Sequence, residues 1–356
     1  MITSSFWQHQ KVLLTGHTGF KGGWMAMWMS ALGARVTGFS LPPATKQSLF
    51  DQASIGRVVE NDLRGDIRDL ASLREALKLS QASIVIHMAA QPLVFQSYQE
   101  PVATYQTNVL GTVNVLEAAR GNASVKAVLI ITSDKCYENM ESEEGYDEEN
   151  PLGGHDPYSS SKACAEIVAS AYRRSFLAEN GIAVATTRSG NVIGGGDWSR
   201  DRLVPDAVNA FINREPFVVR KPKAVRPWQH VLEPLSGYLL LCQKLCHQPN
   251  QFAEAWNFGP RASDEKTVGS LAELMVESWG DGANWVCRGE SNQPHEANSL
   301  RLDCRKAKTK LEWKPQWTLR EAVENTLIWY KKLHGGDNMY EFSIQQIIDY
   351  QMDLLT

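Results

Sequence analysis

Little in this 356-residue chain suits metal binding or crosslinking. Its six cysteines stand at 136, 164, 242, 246, 287 and 304, and no pair has zinc-ligand spacing. Cys242 and Cys246 fall within an apolar helical pattern, and all six are read as reduced structural thiols. No metal is expected. No apolar run approaches the roughly 18 residues of a membrane-spanning helix. The opening MITSSFWQHQ lacks the apolar core of a secretion signal, so a cytoplasmic location is the expectation. Positive charge is not in excess either: 36 Lys and Arg stand against 40 Asp and Glu, a formal net charge of −4. No basic field therefore draws the chain to nucleic acid or to anionic membrane. There is no internal repeat and no low-complexity tract.

With 43% hydrophobic and 21% charged residues, the composition is that of a globular protein with a sizeable core. Strand candidates are KVLLT, ARVTGF, RVVEN, SIVIHMA, KAVLIIT and AVATTRS, with helical patterns near 21–32, 69–79, 100–120 and 158–180. This alternation predicts an α/β fold, a doubly wound parallel sheet of the Rossmann kind. After Arg188 the segment NVIGGGDWSRDRLVP reads as loop, and helical patterns return at 233–247, 267–279 and 318–333. The acidic ESEEGYDEEN (141–150) reads as a solvated surface loop. EFSIQQIIDYQMDLL, after the breaker GGDN, reads as an amphipathic helix docked on the body or on another subunit.

The first strand runs into Gly16, Gly19 and Gly22, spaced GxxGxxG, and then into a helix. Such a turn lets the backbone approach a pyrophosphate at a helix N-terminus, so a dinucleotide is expected here. The acid that usually closes the second strand and holds the ribose hydroxyls is absent; Phe39 and Ser40 stand there. No arginine follows within five residues to take a 2′-phosphate. NAD is therefore expected, its ribose loosely held.

Two further stretches carry chemistry. In DPYSSSKACAEIVASAYRRSF, Asp156 is the expected N-cap, and Tyr158 and Lys162 share one helical face. An ammonium there, together with a positive nicotinamide ring, should lower the phenol toward neutrality and let it take a sugar hydroxyl proton. In ITSDKCYE a core strand ends in Ser133, Asp134 and Lys135. Successive side chains of a straight strand alternate faces, so the chain must turn at Ser133 for all three to face one ligand.

TGHTGFKG, HMAAQ, TNVLGT, ITSDKCY, YSSSK and RSGNVIGGGDW together resemble the extended short-chain dehydrogenase/reductases, and within them the nucleotide-sugar 4,6-dehydratases. The resemblance spans residues 6 to 333. It implies a Rossmann domain of 1–189, to which 228–258 returns, and a smaller mixed sugar-nucleotide domain of 190–227 and 259–333. The segment 334–356 would be a helical extension. It also implies a homodimer or homotetramer, and conversion of a nucleotide-linked glucose, by wider likeness CDP-glucose, to its 4-keto-6-deoxy form for deoxysugar biosynthesis. A C4 epimerase, or a dehydratase of a dTDP- or GDP-sugar, is the alternative.

By position, the family's roles fall on residues of this chain. Tyr158 and Lys162 would serve the C4 oxidation, with Ser133 on O4, Asp134 as acid at C6 and Lys135 as base at C5. In water an acid Asp beside a base Lys inverts their order by about 6.5 pKa units, or roughly 9 kcal/mol. Burial and the cations of Lys162 and NAD would narrow that gap. Otherwise Lys135 stays charged and stabilises the C4 enolate. Asn108 would steady the helix beneath the site. The cofactor would meet Gly16, Thr18, Gly19, Phe20, Lys21, Gly22, Asp66, Ile67, Ala89, Ala90 and Thr132. Gln91, Asn191, Arg202, Arg226 and Arg301 would meet the sugar nucleotide, arginine suiting a diphosphate through its planar fork.

Overall fold

The computed structural model describes residues 1–142, 144–288 and 299–354. Glu143, residues 289–298 and residues 355–356 lie outside it, with the parts of the acidic stretch, the second lobe and the extension that include them.

Seven parallel strands form the central sheet. Six are β1 (Lys11–Thr15), β2 (Arg35–Ser40), β3 (Asn61–Arg64), β4 (Ile84–His87), β5 (Ala127–Ile131) and β6 (Ala183–Arg188). The seventh, Ala255–Asn257, pairs with β6, so the order is β3-β2-β1-β4-β5-β6 and then that strand. β4, β5 and β6 are buried along their whole length, which is why they read as unbroken apolar runs. The winding reverses between β1 and β4, and ligands of open α/β sheets bind at the carboxyl ends of strands beside such a reversal.

Each face of the sheet is covered. Leu13, Val85, Val128 and Val184 point to a core shared with the helices Leu70–Ser80 and Gly111–Arg120. Leu14, Ile86, Leu129 and Ala185 point to a larger core that includes Trp24, Trp28, Leu235 and Leu239. The helix Leu232–His247 packs on β5 and β6 from that side.

Two sequence expectations need correction. RVVEN is not a strand: Ile55–Val58 makes a helical turn, and pairing with β2 begins only at Asn61. Nor is ESEEGYDEEN merely a solvated loop. Tyr146 is buried and stacks on Tyr137 at 5.3 Å, while Glu148 accepts from the Asn257 amide at 2.7 Å.

The helix Met339–Asp353 docks on its own body. Trp329 Nε1 donates to Ser343 Oγ at 2.9 Å, and Tyr350 Oη donates to Glu233 at 2.7 Å. Glu233 also accepts from the Trp317 amide at 2.7 Å. Burial pushes the Glu233 carboxyl up to about 7 against the helping hydrogen bonds. Folding then takes up a proton between about pH 4.5 and 7, so this group's contribution to stability is full below that window and declines as pH rises through it. Thermal melts from pH 5 to 8 should show a shallower fall for Glu233→Gln than for the native protein. Parallel curves would remove Glu233 as the source of the slope.

Candidate active site

The carboxyl ends of β1 and β4 meet at the glycine turn. Gly16 has φ +81°, and a Cβ there would lie 2.6 Å from the Ala89 amide nitrogen. A side chain on Gly22 would overlap the Gly16 carbonyl. Backbone alone therefore closes this turn, with Gly19 at the N-cap and Phe20 and Lys21 in the first turn of the helix Phe20–Ala31. Open amides at a helix N-terminus make a cradle for phosphate. Ala89 is tied to β1 by its amide on Thr15 Oγ1 at 3.2 Å.

Beyond the cradle, Thr18 Oγ1 bonds Ser40 Oγ at 2.7 Å, where the usual acid is missing. The carboxylate at this end of the sheet comes from β3 instead. Asp62 bonds His17 Nε2 at 2.7 Å and pairs with Arg64 at 2.7 Å. Burial holds the His17 ring below the ordinary histidine value, and Asp62 partly opposes it. Asp66 lies with Arg68, whose guanidinium holds the carboxyl below its ordinary value. Ile67 fills the space against Gly111.

Past the β5 end, Ser133 caps a short turn, Asp134–Cys136, and accepts from the Lys135 amide at 3.2 Å. That turn brings Ser133, Asp134 and Lys135 to the wall of a cavity of about 850 Å³, which Tyr158 and Lys162 also line. Ser133 Oγ donates to Asp134 Oδ1 at 2.9 Å. Asp134 Oδ2 is buried without a partner among the described residues, and Gly190 backs directly onto it. A buried carboxylate oxygen left unpaired is costly unless a ligand supplies a donor.

The helix Pro157–Tyr172 starts on an Asp156 cap, with Pro157 at its first position, and carries Tyr158 and Lys162 into the cavity. Both are buried. Lys162 Nζ donates to the Ile131 carbonyl at 3.1 Å, and burial lowers it to about 8, with Lys21 adding to the fall. The protein's own groups bias Tyr158 upward. Burial pushes the phenol up to about 12; the Ser133 hydrogen bond opposes this and Asp134 adds to it.

Asn108 sits in a π-helical turn, Gln106–Leu110. It accepts from the Gln91 amide at 2.9 Å and donates to Ser161 Oγ at 2.9 Å, tying the β4 loop to the tyrosine helix. Gln91 spends its own amide on Leu93 and Thr104. Phe20, Lys21, Ala90, Thr132, Asn191, Arg202 and Arg226 line the cavity. Arg202 is paired with Asp197 at 2.8 Å, and Arg226 is buried, donating to the Val225 carbonyl at 2.9 Å. Arg301 lies apart from that wall, ion-paired with Glu265 at 3.3 Å. Sequence reasoning passed over Glu166 and Arg188, buried beneath the lysine, although Glu166 continues the spacing of Tyr158 and Lys162 by four.

A phosphate cradle joined to a buried tyrosine–lysine pair defines a dinucleotide-dependent enzyme of the short-chain dehydrogenase/reductase kind. Residues 13–326 match the family described as GDP-mannose 4,6 dehydratase, and the chain belongs to this family of nucleotide-sugar dehydratases. It is 48% identical over 355 residues to a CDP-glucose 4,6-dehydratase of Salmonella typhimurium, covering 98% of each chain. It is 28% identical over 330 residues to a dTDP-glucose 4,6-dehydratase of Streptomyces antibioticus, covering 90% of this chain and 92% of that one. Among solved structures, a dTDP-glucose 4,6-dehydratase of Streptomyces venezuelae with NAD bound superposes with TM-score 0.77 at 25% identity, over 92% of this chain and 98% of that one. A UDP-glucose 4-epimerase of Thermotoga maritima shares the fold at TM-score 0.76 and 21% identity, over 91% and 99%.

The closed glycine turn yields a direct test. Gly22→Ala should open the cradle and weaken dinucleotide binding at least tenfold by calorimetry, with the protein still folded by circular dichroism. Unchanged affinity would take the cradle away from this turn.

Proposed function

We propose that the protein converts CDP-glucose to CDP-4-keto-6-deoxyglucose and water, with NAD as cofactor. The observation that carries this reading is the turn after β5, which sets a hydroxyl, a carboxyl and an amine on the same cavity as Tyr158. A C4 epimerase needs the tyrosine and the lysine but has no use for Asp134 and Lys135. The nucleotide is taken from the relative that is 48% identical and named a CDP-glucose 4,6-dehydratase.

The chain's own groups fit NAD. Gly16, Gly19 and Gly22 let the turn close tightly, since a Cβ at Gly22 would overlap the Gly16 carbonyl, and the first turn of Phe20–Ala31 presents open amides to a pyrophosphate. Thr18, Phe20, Lys21, Asp66, Ile67, Ala89, Ala90 and Thr132 complete the proposed contacts. When bound, NAD would supply the hydride acceptor for C4 and the hydride donor for C6.

Around that exchange the residues divide the proton work. Ser133 and Tyr158 hold the C4 hydroxyl, and Tyr158 takes its proton. With C4 a ketone, the proton on C5 is acidic, and Lys135 removes it. Asp134, its Oδ2 without a partner among the described residues, protonates the C6 hydroxyl, which leaves as water. Lys135 then returns a proton to C5, and solvent exchange resets Tyr158 and Asp134. The lobe of 190–227 and 259–333 holds the sugar nucleotide through Asn191, Arg202 and Arg226, with Gln91 from the loop after β4 beside them. Arg301, held by Glu265 away from the cavity wall, is left out of this set. Arg202 is oriented by Asp197 and reaches the cavity, which suits it to the diphosphate.

No helix among the described residues is long and apolar enough to cross a membrane, and the reading carries a cytoplasmic enzyme. A homodimer or homotetramer goes with it: the helices Gly111–Arg120 and Pro157–Tyr172 lie side by side, and Leu110 and Ile167 on this flank are more than half exposed.

Incubation with NAD and each of CDP-, dTDP-, GDP- and UDP-glucose should give the alkali-absorbing 4-keto product from CDP-glucose in preference. A C4-epimerised sugar with no keto product would overturn the dehydratase reading. Tyr158→Phe should lower turnover by about 10²–10⁴-fold, the usual worth of a positioned acid–base group. Lys135→Met should abolish exchange of the C5 hydrogen with solvent; exchange at the native rate would move the base role elsewhere.

A further inference from the structure

Beneath Lys162 lies a buried polar cluster that the reaction itself does not touch. Glu166 stands one helical turn after Lys162 and two after Tyr158, so all three share a face of the helix Pro157–Tyr172. Its carboxylate accepts from Thr132 Oγ1, from Thr186 Oγ1 at 2.6 Å and from the Arg188 guanidinium at 3.0 Å. Thr132 directly follows Ile131, whose carbonyl accepts from Lys162 Nζ. Two consecutive residues at the β5 end are therefore gripped by side chains one helical turn apart. Arg188, from β6, goes on to donate to Tyr137 Oη at 2.8 Å, just past the turn that carries Asp134 and Lys135. Glu166 and Arg188 are both buried and paired with each other.

We propose that Glu166, pinned by Arg188 and two threonine hydroxyls, is the positioning residue that keeps the Lys162 ammonium charged beside Tyr158. It touches neither substrate nor cofactor and acts through Lys162. This rests on the reading of Tyr158 and Lys162 as the oxidising pair. The titratable groups that face Lys162 come from several elements: Lys21 from the cradle helix, Cys136 from the turn after β5, His87 from β4, and Tyr158 and Glu166 from its own helix. Burial is the largest influence and favours the neutral amine, and Lys21 pushes the same way. His87 is buried and neutral, held near 3, so it adds no charge. The Cys136 thiol is raised well above its ordinary value by burial and stays protonated near neutral pH. That leaves Glu166 as the anion that opposes neutralisation at working pH. Lys162 sits at about 8, so a modest loss of this support neutralises it within the range in which an enzyme is assayed.

The test compares the full-length native protein with Glu166→Gln, Glu166→Asp and the double variant Glu166→Gln with Arg188→Met, which leaves no uncompensated buried cation. Lys162 is titrated by NMR of [13Cε]-lysine, its signal assigned by loss in Lys162→Met, and the pH profile of kcat/KM is recorded alongside. In both Gln variants the Lys162 midpoint should fall by about one pH unit or more. The alkaline limb of the profile should move down with it, with KM for the sugar nucleotide little changed and the native limb restored in Glu166→Asp. An unmoved midpoint in the folded double variant, with activity lost evenly at all pH values, would reduce Glu166 to a structural strut and overturn the proposal. The NMR midpoint needs no turnover. A shifted midpoint in a protein that dehydrates no sugar nucleotide would therefore sink the functional reading and leave the role of Glu166 standing.

Discussion

The active site depends on an ammonium group held away from water. Taking a charge into the interior costs several kcal/mol unless partners replace its hydration. Lys162 is compensated by the Ile131 carbonyl and by the field of Glu166, and each comes from an element that the sheet core fixes in place. The Glu166 carboxylate is in turn met by Arg188 and two hydroxyls. The chain of compensation runs from β6 through the helix Pro157–Tyr172 to the end of β5. It explains why three separated segments of sequence hold their relative positions to the precision that proton transfer requires.

A second constraint works at the other side of the cavity. β1 and β4 are neighbours only because the winding reverses between them, and this opens the crevice into which the glycine turn looks. Asn108 then links the two sides. Its amide holds the loop after β4 by Gln91 and the tyrosine helix by Ser161. The π-helical turn at 106–110 carries Asn108 inward within a helical stretch that continues on both sides. The cradle helix, the tyrosine and the Ser133 turn therefore face one volume.

The parts legible in the sequence were those set by local pattern. β4, β5 and β6 are buried on both faces, so their apolar runs could be read directly, and the glycine spacing marked the cradle. Tyr158 and Lys162 followed from helical periodicity, and Glu166 lay open to the same reasoning at the next turn. What stayed hidden depends on contacts between distant segments. Tyr146 looks like part of an acidic loop until Tyr137 is brought against it. Asp62 supplies a carboxylate near the missing ribose acid only because β3 lies beside β2. Arg301 looked no different from Arg202 in the sequence, yet one is drawn to Glu265 and the other to the cavity wall. The upward push of burial on Tyr158 stayed hidden for a related reason. Helical spacing reveals a neighbouring charge but not how much water the surrounding fold removes.

That upward push bears on how such a site works. The protein by itself raises the phenol to about 12 and lowers the amine to about 8, so burial drives both toward their neutral forms. Neutral phenol beside ammonium is then the resting pair near pH 7, and Tyr158 is a poor base in that state. A positive charge entering the cavity stabilises phenolate and penalises ammonium, and it does so most strongly where water is scarce. An anion placed behind the lysine offsets only the second effect, because it lies nearer the amine than the phenol along the helix. Glu166 occupies that position. The arrangement lets a cationic ring activate the tyrosine without stripping the lysine of its proton, which neither burial nor the Tyr158–Lys162 spacing could achieve alone.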